Sequence, residues 1–373
     1  MIEGIYIHIP FCEQICVYCD FHKEIATDKK KKLYINRLIK SIDHLNDDFS
    51  ELKTIYIGGG TPSNLDNVLL EQLLKTIKVK FDLSKIIEYT IEANPNDITN
   101  QKSDLFAKYG INRVSLGVQS FDNQVLSSMN RSHQAEDIEK SIKLLKKAGI
   151  NNISIDLIFG FNNQTLSQVA YDLEKAISLN IKHISYYALI LEEKSIMHYL
   201  VKQGKMGVVD EDLDYLMYNK IIDTLKENGY KHYEISNFSL EGYDSMHNVL
   251  YWTQKSYLGL GSGAHSYVDD KRFFQSPNVQ EYISSSNDQQ CREFYPSYPL
   301  EDALIFGLRV LEGINVLALE KQFKISLFER YPAILTLIDQ GLLLYEDDSI
   351  RLSEKGLMLA NNVFAALLEE HHA

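Results

Sequence analysis

Three of the chain's four cysteines stand within eight residues: Cys12, Cys16 and Cys19 in IPFCEQICVYCDF, spaced C-x3-C-x2-C, with Cys291 far away. Three thiolates on one tight loop can hold three irons of a cubane cluster. A [4Fe–4S] cube normally takes four cysteines. Supplying three leaves one iron open to an outside ligand, which is a binding or catalytic arrangement rather than a structural one. Two other chemistries compete for the same sulfurs. Zinc could be held by three thiolates with His8 or His22, a Cys3His set, but zinc ribbons usually bring a second ligand pair and Cys291 is alone. Disulfides require even pairing, which three clustered cysteines lack, and no secretory signal points to an oxidising compartment.

Composition narrows the partners. The 373 residues are 45% hydrophobic and 24% charged, an ordinary globular profile long enough for one large α/β unit and a smaller one. A net charge of −13 argues against general nucleic-acid binding, which needs a cationic surface to displace counterions. The run Lys29 to Lys32 reads as the solvated start of a helix, with docking of an anionic partner as the rival. No apolar stretch approaches the ~20 residues of a membrane span, which leaves only peripheral membrane contact. Met1 leads directly into a strand, so no targeting peptide is expected. The expected location is the cytoplasm, where thiols stay reduced.

The cysteines need a frame to act with other groups. Strand patterns at 4–9, 53–57, 86–92, 113–117, 152–157 and 183–191 alternate with helical patterns at 33–45, 68–78, 104–109, 137–148 and 166–179. This alternation implies parallel βαβ units. Six units are too few for a closed eight-stranded barrel, so a partial, open (β/α)6 TIM-like barrel over 1–229 is expected. Residues 230–290 read as a connecting segment, with the polar SSSNDQQ at 284–290 as a linker. Residues 291–373 carry amphipathic helices and a strand–turn–strand, GLLLYEDDSIRLS, which suggests a small C-terminal α+β domain of winged-helix type.

In parallel sheets, ligands sit beyond the carboxyl ends of the strands. The cysteine loop follows the first strand, so later strand ends should converge on it. The second ends in Gly58-Gly59-Gly60-Thr61-Pro62, where absent Cβ atoms let backbone amides approach a ligand. Glu92 (IEANP), Gln119 (LGVQSFD), Arg131 (MNRSH) and Asp156 (SIDLIFG) follow. Singly, each could be a helix cap or a solvated group. Together they fit ligand recognition around one barrel mouth. The carboxylates can accept hydrogen bonds from hydroxyls or an ammonium, and Arg131 can pair a carboxylate. Tyr6 and Tyr18 offer aromatic surface nearby.

The cysteine spacing after the first strand resembles the signature of the radical S-adenosylmethionine (SAM) superfamily. That resemblance implies that SAM chelates the open iron and that Gly59, Gly60 and Thr61 belong to the element binding its amino group. YIHIPFC, GGGTPS, TIEANP, GVQSFD, NISIDLIFG, HISYYAL, HNVLYW and YLGLGSGAHSY, in this order over about 270 residues, are similar to the oxygen-independent coproporphyrinogen III oxidase-like branch. The tail resembles that branch's C-terminal domain. Within the branch the chain is most similar to the HemW-type haem chaperones. Phe21 stands where the dehydrogenase pattern has a further cysteine, only eleven residues precede Cys12, and His247 to Trp252 match the HNxxYW motif that the resemblance links to haem. Gly160 to Thr165 (GFNNQT) depart from the family's GLPxQT-like turn.

The resemblance thus implies a [4Fe–4S] protein that binds SAM and haem and passes haem to respiratory apoproteins. An electron donor is a further implied partner, and a homodimer is compatible. His247 is the candidate haem ligand, since imidazole is a standard axial ligand, and Tyr251 and Trp252 could stack on a porphyrin. A buried histidine beside core aromatics is the plainer reading of the same motif. His265, in GSGAHSY, is a second candidate. Gly259, Gly261 and Gly263 leave one face bare for a ligand or another strand. The enzymatic alternative is oxidative decarboxylation of coproporphyrinogen III to protoporphyrinogen IX, and a zinc-stabilised interaction protein is the third class.

Overall fold

The computed structural model describes residues 1–369. Six parallel strands lie side by side in chain order: β1 (Gly4–Ile9), β2 (Thr54–Gly59), β3 (Glu88–Ala93), β4 (Arg113–Gln119), β5 (Asn152–Phe159) and β6 (His183–Ala188). Each begins within two residues of its expected start. The sheet does not close. Antiparallel β7 (Lys231–Glu234) and β8 (Asn237–Ser239) extend it beyond β6. On the other side β9 (Tyr257–Leu260) runs parallel to β1, followed by β10 (His265–Val268), β11 (Lys271–Gln275) and β12 (Arg292–Tyr295), which makes twelve strands. The open (β/α)6 frame is therefore present. Residues 230–290, expected as a connection, supply strands to the same sheet.

Strand alternation sorts side chains by polarity. Ile5, Ile7, Ile55, Ile57, Val114 and Ile155 are fully buried against the covering helices. The alternate residues face the concave side and are largely polar: Tyr6 and His8, Thr54 and Tyr56, Glu88 and Glu92, Arg113 and Ser115, Ser154 and Asp156. Such a pattern is the two-residue period of a strand, with β-branched residues recurring on one face and buried polar residues on the other.

The helices start where capping chemistry places them. Thr27 caps α1 (Asp28–Asp43), whose first turn is the lysine run. Asp66 caps α2 (Asn67–Lys80). Thr165 and Gln168 form a reciprocal capping box on α3 (Leu166–Ser178). Just before it, Asn162 and Asn163 take positive φ, the region asparagine tolerates best after glycine, which is how GFNNQT makes its turn without the family's proline. The 284–290 stretch is not a free linker. Asp288 pairs with buried Arg37 at 2.8 Å and accepts from Ser41, and Arg37 also donates to the Ser285 carbonyl. A polar composition signals a linker only when its partners are water, and here they belong to α1.

The tail packs short helices around a three-stranded sheet of β13 (Ile314–Asn315), β14 (Leu343–Glu346) and β15 (Ser349–Leu352). Asp347 and Asp348, both at positive φ, make the tight hairpin turn between the last two. No helix among the described residues is long and apolar enough to cross a membrane.

Asp172 of α3 is fully buried, accepts from the Phe121 amide at 2.6 Å and from Ser120 at 3.1 Å, and is pushed up to about 7 by burial. A raised carboxyl pKa means the folded chain holds a proton that the unfolded chain has lost. Stability therefore falls as pH rises from the ordinary carboxylate range to about 7, by up to about 1.4 kcal/mol per unit. In Asp172→Asn, urea denaturation between pH 5 and 8 should show a flatter pH dependence than the parent.

Candidate functional site

The cysteine loop is held at both ends and from both sides. At its base the Cys12 amide donates to the Glu24 carbonyl and the Glu24 amide to the Pro10 carbonyl, at 3.0 and 2.7 Å. At its centre the Val17 amide bonds the Met129 carbonyl, and the Met197 amide bonds the Val17 carbonyl. Asn130, at positive φ, accepts from the Gln14 amide through its carbonyl and donates to the Ile15 carbonyl. Val17 and Tyr18 pack on a small apolar cluster of Val125, Met129, Ile158, Phe161 and Met197. The loop's apolar residues thus fasten it, and its three free, half-buried thiols line a cavity of about 420 Å³, within the range of small-ligand sites.

The cavity gathers most of the expected residues. Tyr18, Gly59, Gly60, Thr61, Glu92, Gln119, Arg131 and Asp156 all line it with the cysteines. Gly60 has no room for a side chain, since a Cβ would lie 3.0 Å from the Cys12 sulfur and from the Phe11 backbone. Thr61 donates to the Cys12 sulfur at 3.6 Å. Arg131 reaches the Cys16 sulfur at 3.3 Å and clamps the Asn94 side chain and the Gly117 carbonyl at 2.6 Å each. Its Nε is buried without a partner. A register shift between Gly117 and Gln119, with Gln119 at φ +67°, ends β4. Such a bulge re-aims side chains, and here it sets Gln119 beside Arg131.

Burial governs the electrostatics. Glu92 accepts from the Tyr56 hydroxyl at 2.8 Å and the Gly59 amide at 3.0 Å, yet burial, helped by Asp156, pushes its carboxyl up to about 7. Asp156, bonded by Ser115, is likewise raised by burial, opposed by Arg113. Burial pushes the Cys12 thiol up to about 11, with the Thr61 hydrogen bond opposing. Cys19 is raised by burial, with Lys23 opposing. Thiols raised in this way must release protons to bind iron, as metal ligation generally requires.

Two expected residues lie elsewhere. Tyr6 stacks beneath the cavity on Tyr56, 6.0 Å between centroids, and bonds the His8 imidazole at 3.0 Å. It lies one inward-facing position before His8 on β1 and does not line the cavity. His247 is fully buried on α4 (Met246–Trp252), stacked on Tyr56 at 5.1 Å. Its Nδ1 meets the Thr54 hydroxyl at 2.7 Å and its Nε2 the Tyr251 hydroxyl at 2.6 Å. Both nitrogens are engaged, and the buried Glu88 carboxylate accepts from the amides of Met246 and His247. As arranged, His247 offers no lone pair to an iron. Of the motif, only Asn248 lines the cavity.

Other wall residues were not foreseen: Tyr56, Asn94, Arg113, Ser115, Ser185 and Tyr187. Tyr56, Arg113, Ser115 and Ser185 fall on the inward-facing positions of their strands, and only the sheet register sets them beside Glu92 and Asp156. The glycines of GLGSG resolve as close backbone packing. A Cβ on Gly259 would strike the His265 carbonyl, and one on Gly263 would lie 2.7 Å from the His22 ring.

The donor set suits an iron–sulfur cube better than zinc. His8 Nε2 is taken by the His22 carbonyl, His22 Nε2 by Ser262, and neither residue lines the cavity. Among the described residues no group of three His, Cys, Asp or Glu converges on a single ion. Three thiols on one wall, a glycine cradle against one of them and an unpartnered guanidinium Nε fit a cluster with an open corner and a polar ligand beside it.

Residues 6–176 match the model of the radical SAM superfamily, and residues 298–359 that of the HemN C-terminal domain. The chain is 39% identical to the heme chaperone HemW of Lactococcus lactis over 97% of this chain and 96% of that one. It is 33% identical to the heme chaperone HemW of Bacillus subtilis over 99% and 100%. Its fold matches coproporphyrinogen III oxidase (HemN) from Escherichia coli with a TM-score of 0.82 at 22% identity, covering 98% and 90% of the two chains.

Gly60→Ala should displace the Cys12 sulfur while leaving the barrel folded. After anaerobic reconstitution it should carry less than half the iron of the parent, with an unchanged far-ultraviolet circular dichroism spectrum. Removing the His247 imidazole leaves Thr54 and Tyr251 unpaired around a cavity, so His247→Ala should lose about 2–4 kcal/mol of stability in urea denaturation.

Proposed function

This chain belongs to the radical SAM superfamily and, within it, to the HemW family; on that premise we propose that it is a haem chaperone carrying a [4Fe–4S] cluster and SAM. The family implies the cluster and SAM. The observation that carries the assignment to this cavity is the convergence of Cys12, Cys16 and Cys19 with the GGGTP turn and the ends of the next three strands. In this reading the three thiolates would hold the cluster and leave its remaining iron to SAM. The Gly59–Thr61 backbone and Glu92 receive the amino group, Arg131 and Gln119 face the carboxylate, and Asp156 and Tyr18 border the nucleoside. When bound, the cluster supplies an electron that can cleave the sulfonium. The chain's own residues orient the cofactor, keep water from it and, through the proton held on Glu92 near pH 7, set the charge beside it.

Haem enters as cargo. The relatives' name is heme chaperone, and the chain would hold haem and deliver it to respiratory apoproteins at the membrane surface, with cluster and SAM supporting transfer or dimerisation. Residues 230–290 then link the SAM-binding barrel to the tail, and His247 keys that segment to the barrel.

Anaerobic reconstitution should give a brown protein with about four irons and four sulfides per chain. Cys12→Ala, Cys16→Ala and Cys19→Ala should each abolish it and Cys291→Ala should not. Incubation with coproporphyrinogen III, SAM and reductant should yield no protoporphyrinogen IX. Turnover there would replace the chaperone reading with the decarboxylase, and a colourless zinc protein would remove both.

A further inference from the structure

Two neighbouring strands leave the sheet by the same device. β2 runs into Thr61-Pro62-Ser63-Asn64 and β3 into Asn94-Pro95-Asn96-Asp97. In each, the residue before proline is extended, and the proline ring opens a single 3-10 turn, Pro62–Asn64 or Pro95–Asp97. The carbonyl before the proline accepts from the amide three residues on, at 2.9 Å for Thr61 and Asn64 and 3.1 Å for Asn94 and Asp97. The two turns lock together at one hydroxyl. Fully buried Ser63 Oγ donates to Asp97 Oδ2 at 2.6 Å and accepts from the Asn94 amide at 3.0 Å.

Lys102 closes the arrangement from behind. It lies on the helix Asn100–Lys108, which follows the second turn. Its side chain is buried, and its ammonium donates to the carbonyl of Ser63 and, at 3.2 Å, to that of Leu65. Lysine is seldom buried, because its ammonium gives up water. Packing alone would not choose it here, whereas two turn carbonyls that need a donor would.

The hydroxyl of Ser63 joins the two sides of the cavity. Just before it in the chain stand Gly59, Gly60 and Thr61, set against Cys12 and Glu92. Across it stands Asn94, whose side-chain oxygen accepts from Arg131 at 2.6 Å. Ser63, Asp97 and Lys102 themselves do not line the cavity.

We infer that Ser63, Asp97 and Lys102 are positioning residues, a buried lock that sets the glycine turn and Arg131 at the spacing the methionine portion of SAM requires. The inference rests on the assignment of SAM to this cavity and adds the groups that hold its two sides in register. A ligand that spans both sides feels a shift of either turn. A ligand that carries only the nucleoside does not.

Two titrations of the full-length, anaerobically reconstituted protein test this. SAM is followed by the change it makes in the electron paramagnetic resonance spectrum of the dithionite-reduced cluster. 5′-Methylthioadenosine, the nucleoside without the amino and carboxylate groups, is followed by equilibrium dialysis. Ser63→Ala should keep the parent's iron content and circular dichroism and bind SAM roughly tenfold more weakly, the scale of one buried hydrogen bond left unmade. Lys102→Met should do the same. Asp97→Ala should also weaken SAM, and Asp97→Asn, which keeps an acceptor for the Ser63 hydroxyl, should recover most of the affinity. 5′-Methylthioadenosine should be held equally by the parent and all variants. The Ser63 and Asp97 variants carry the test should Lys102→Met fail to fold. Parent-like SAM affinity in iron-loaded Ser63→Ala and Asp97→Ala, or an equal loss for both ligands, would overturn the lock. Absence of SAM binding by the reconstituted parent would overturn the assignment of SAM to the cavity, and the lock with it.

Discussion

A sheet covered by helices on one side while its concave side carries carboxylates, a guanidinium and imidazoles can fold only if those groups satisfy one another. Burying an unpaired charge costs several kcal/mol, so each must be paired, hydrogen-bonded or neutral. The barrel meets this by networks that run across strands. Glu92 takes a hydroxyl from β2 and a backbone amide from its end, and Glu88 takes two amides from the start of α4. His183 joins Ser154 to Tyr233. Two groups at the cavity stand partly outside these networks: Arg131 keeps an unpartnered Nε, and Glu92 sits at the edge of ionisation. The concave side is thus divided between groups spent on one another and groups that face the cavity.

That division also explains which parts of the molecule were legible from residues alone. Strand positions followed from β-branched runs, and the strand-end chemistry from polar residues placed where a packing role would not choose them. The cysteine triplet, GGGTP, Glu92, Gln119, Arg131 and Asp156 indeed meet in one cavity. Tyr56 and Arg113 were missed because an inward-facing strand position looks like any other until one knows which face is concave. HNVLYW stayed open between two readings for a related reason. A sequence shows that a histidine exists but not which of its nitrogens is free, and Thr54, 193 residues away, occupies one of them.

The same limit applies to residues 284–290. Serine, asparagine and aspartate read as solvated chain, yet Asp288 ends against a buried arginine 251 residues earlier. Local composition describes what a segment can bind, whereas the fold decides whether water or protein supplies the partner. The glycines of GLGSG were read as a bare face for a ligand or another strand, and it is the His265 backbone and the His22 ring that come close to them.

The fastening of the cysteine loop has a consequence for biosynthesis. The three thiols leave the ribosome well before Met129 and Met197, whose backbone bonds seat them. Until Met197 has been translated, the sulfurs hang on an unsupported ribbon. Iron loading must therefore wait for the middle of the chain, and a truncation before Met197 would leave a nascent protein with every ligand present and no nest to hold them.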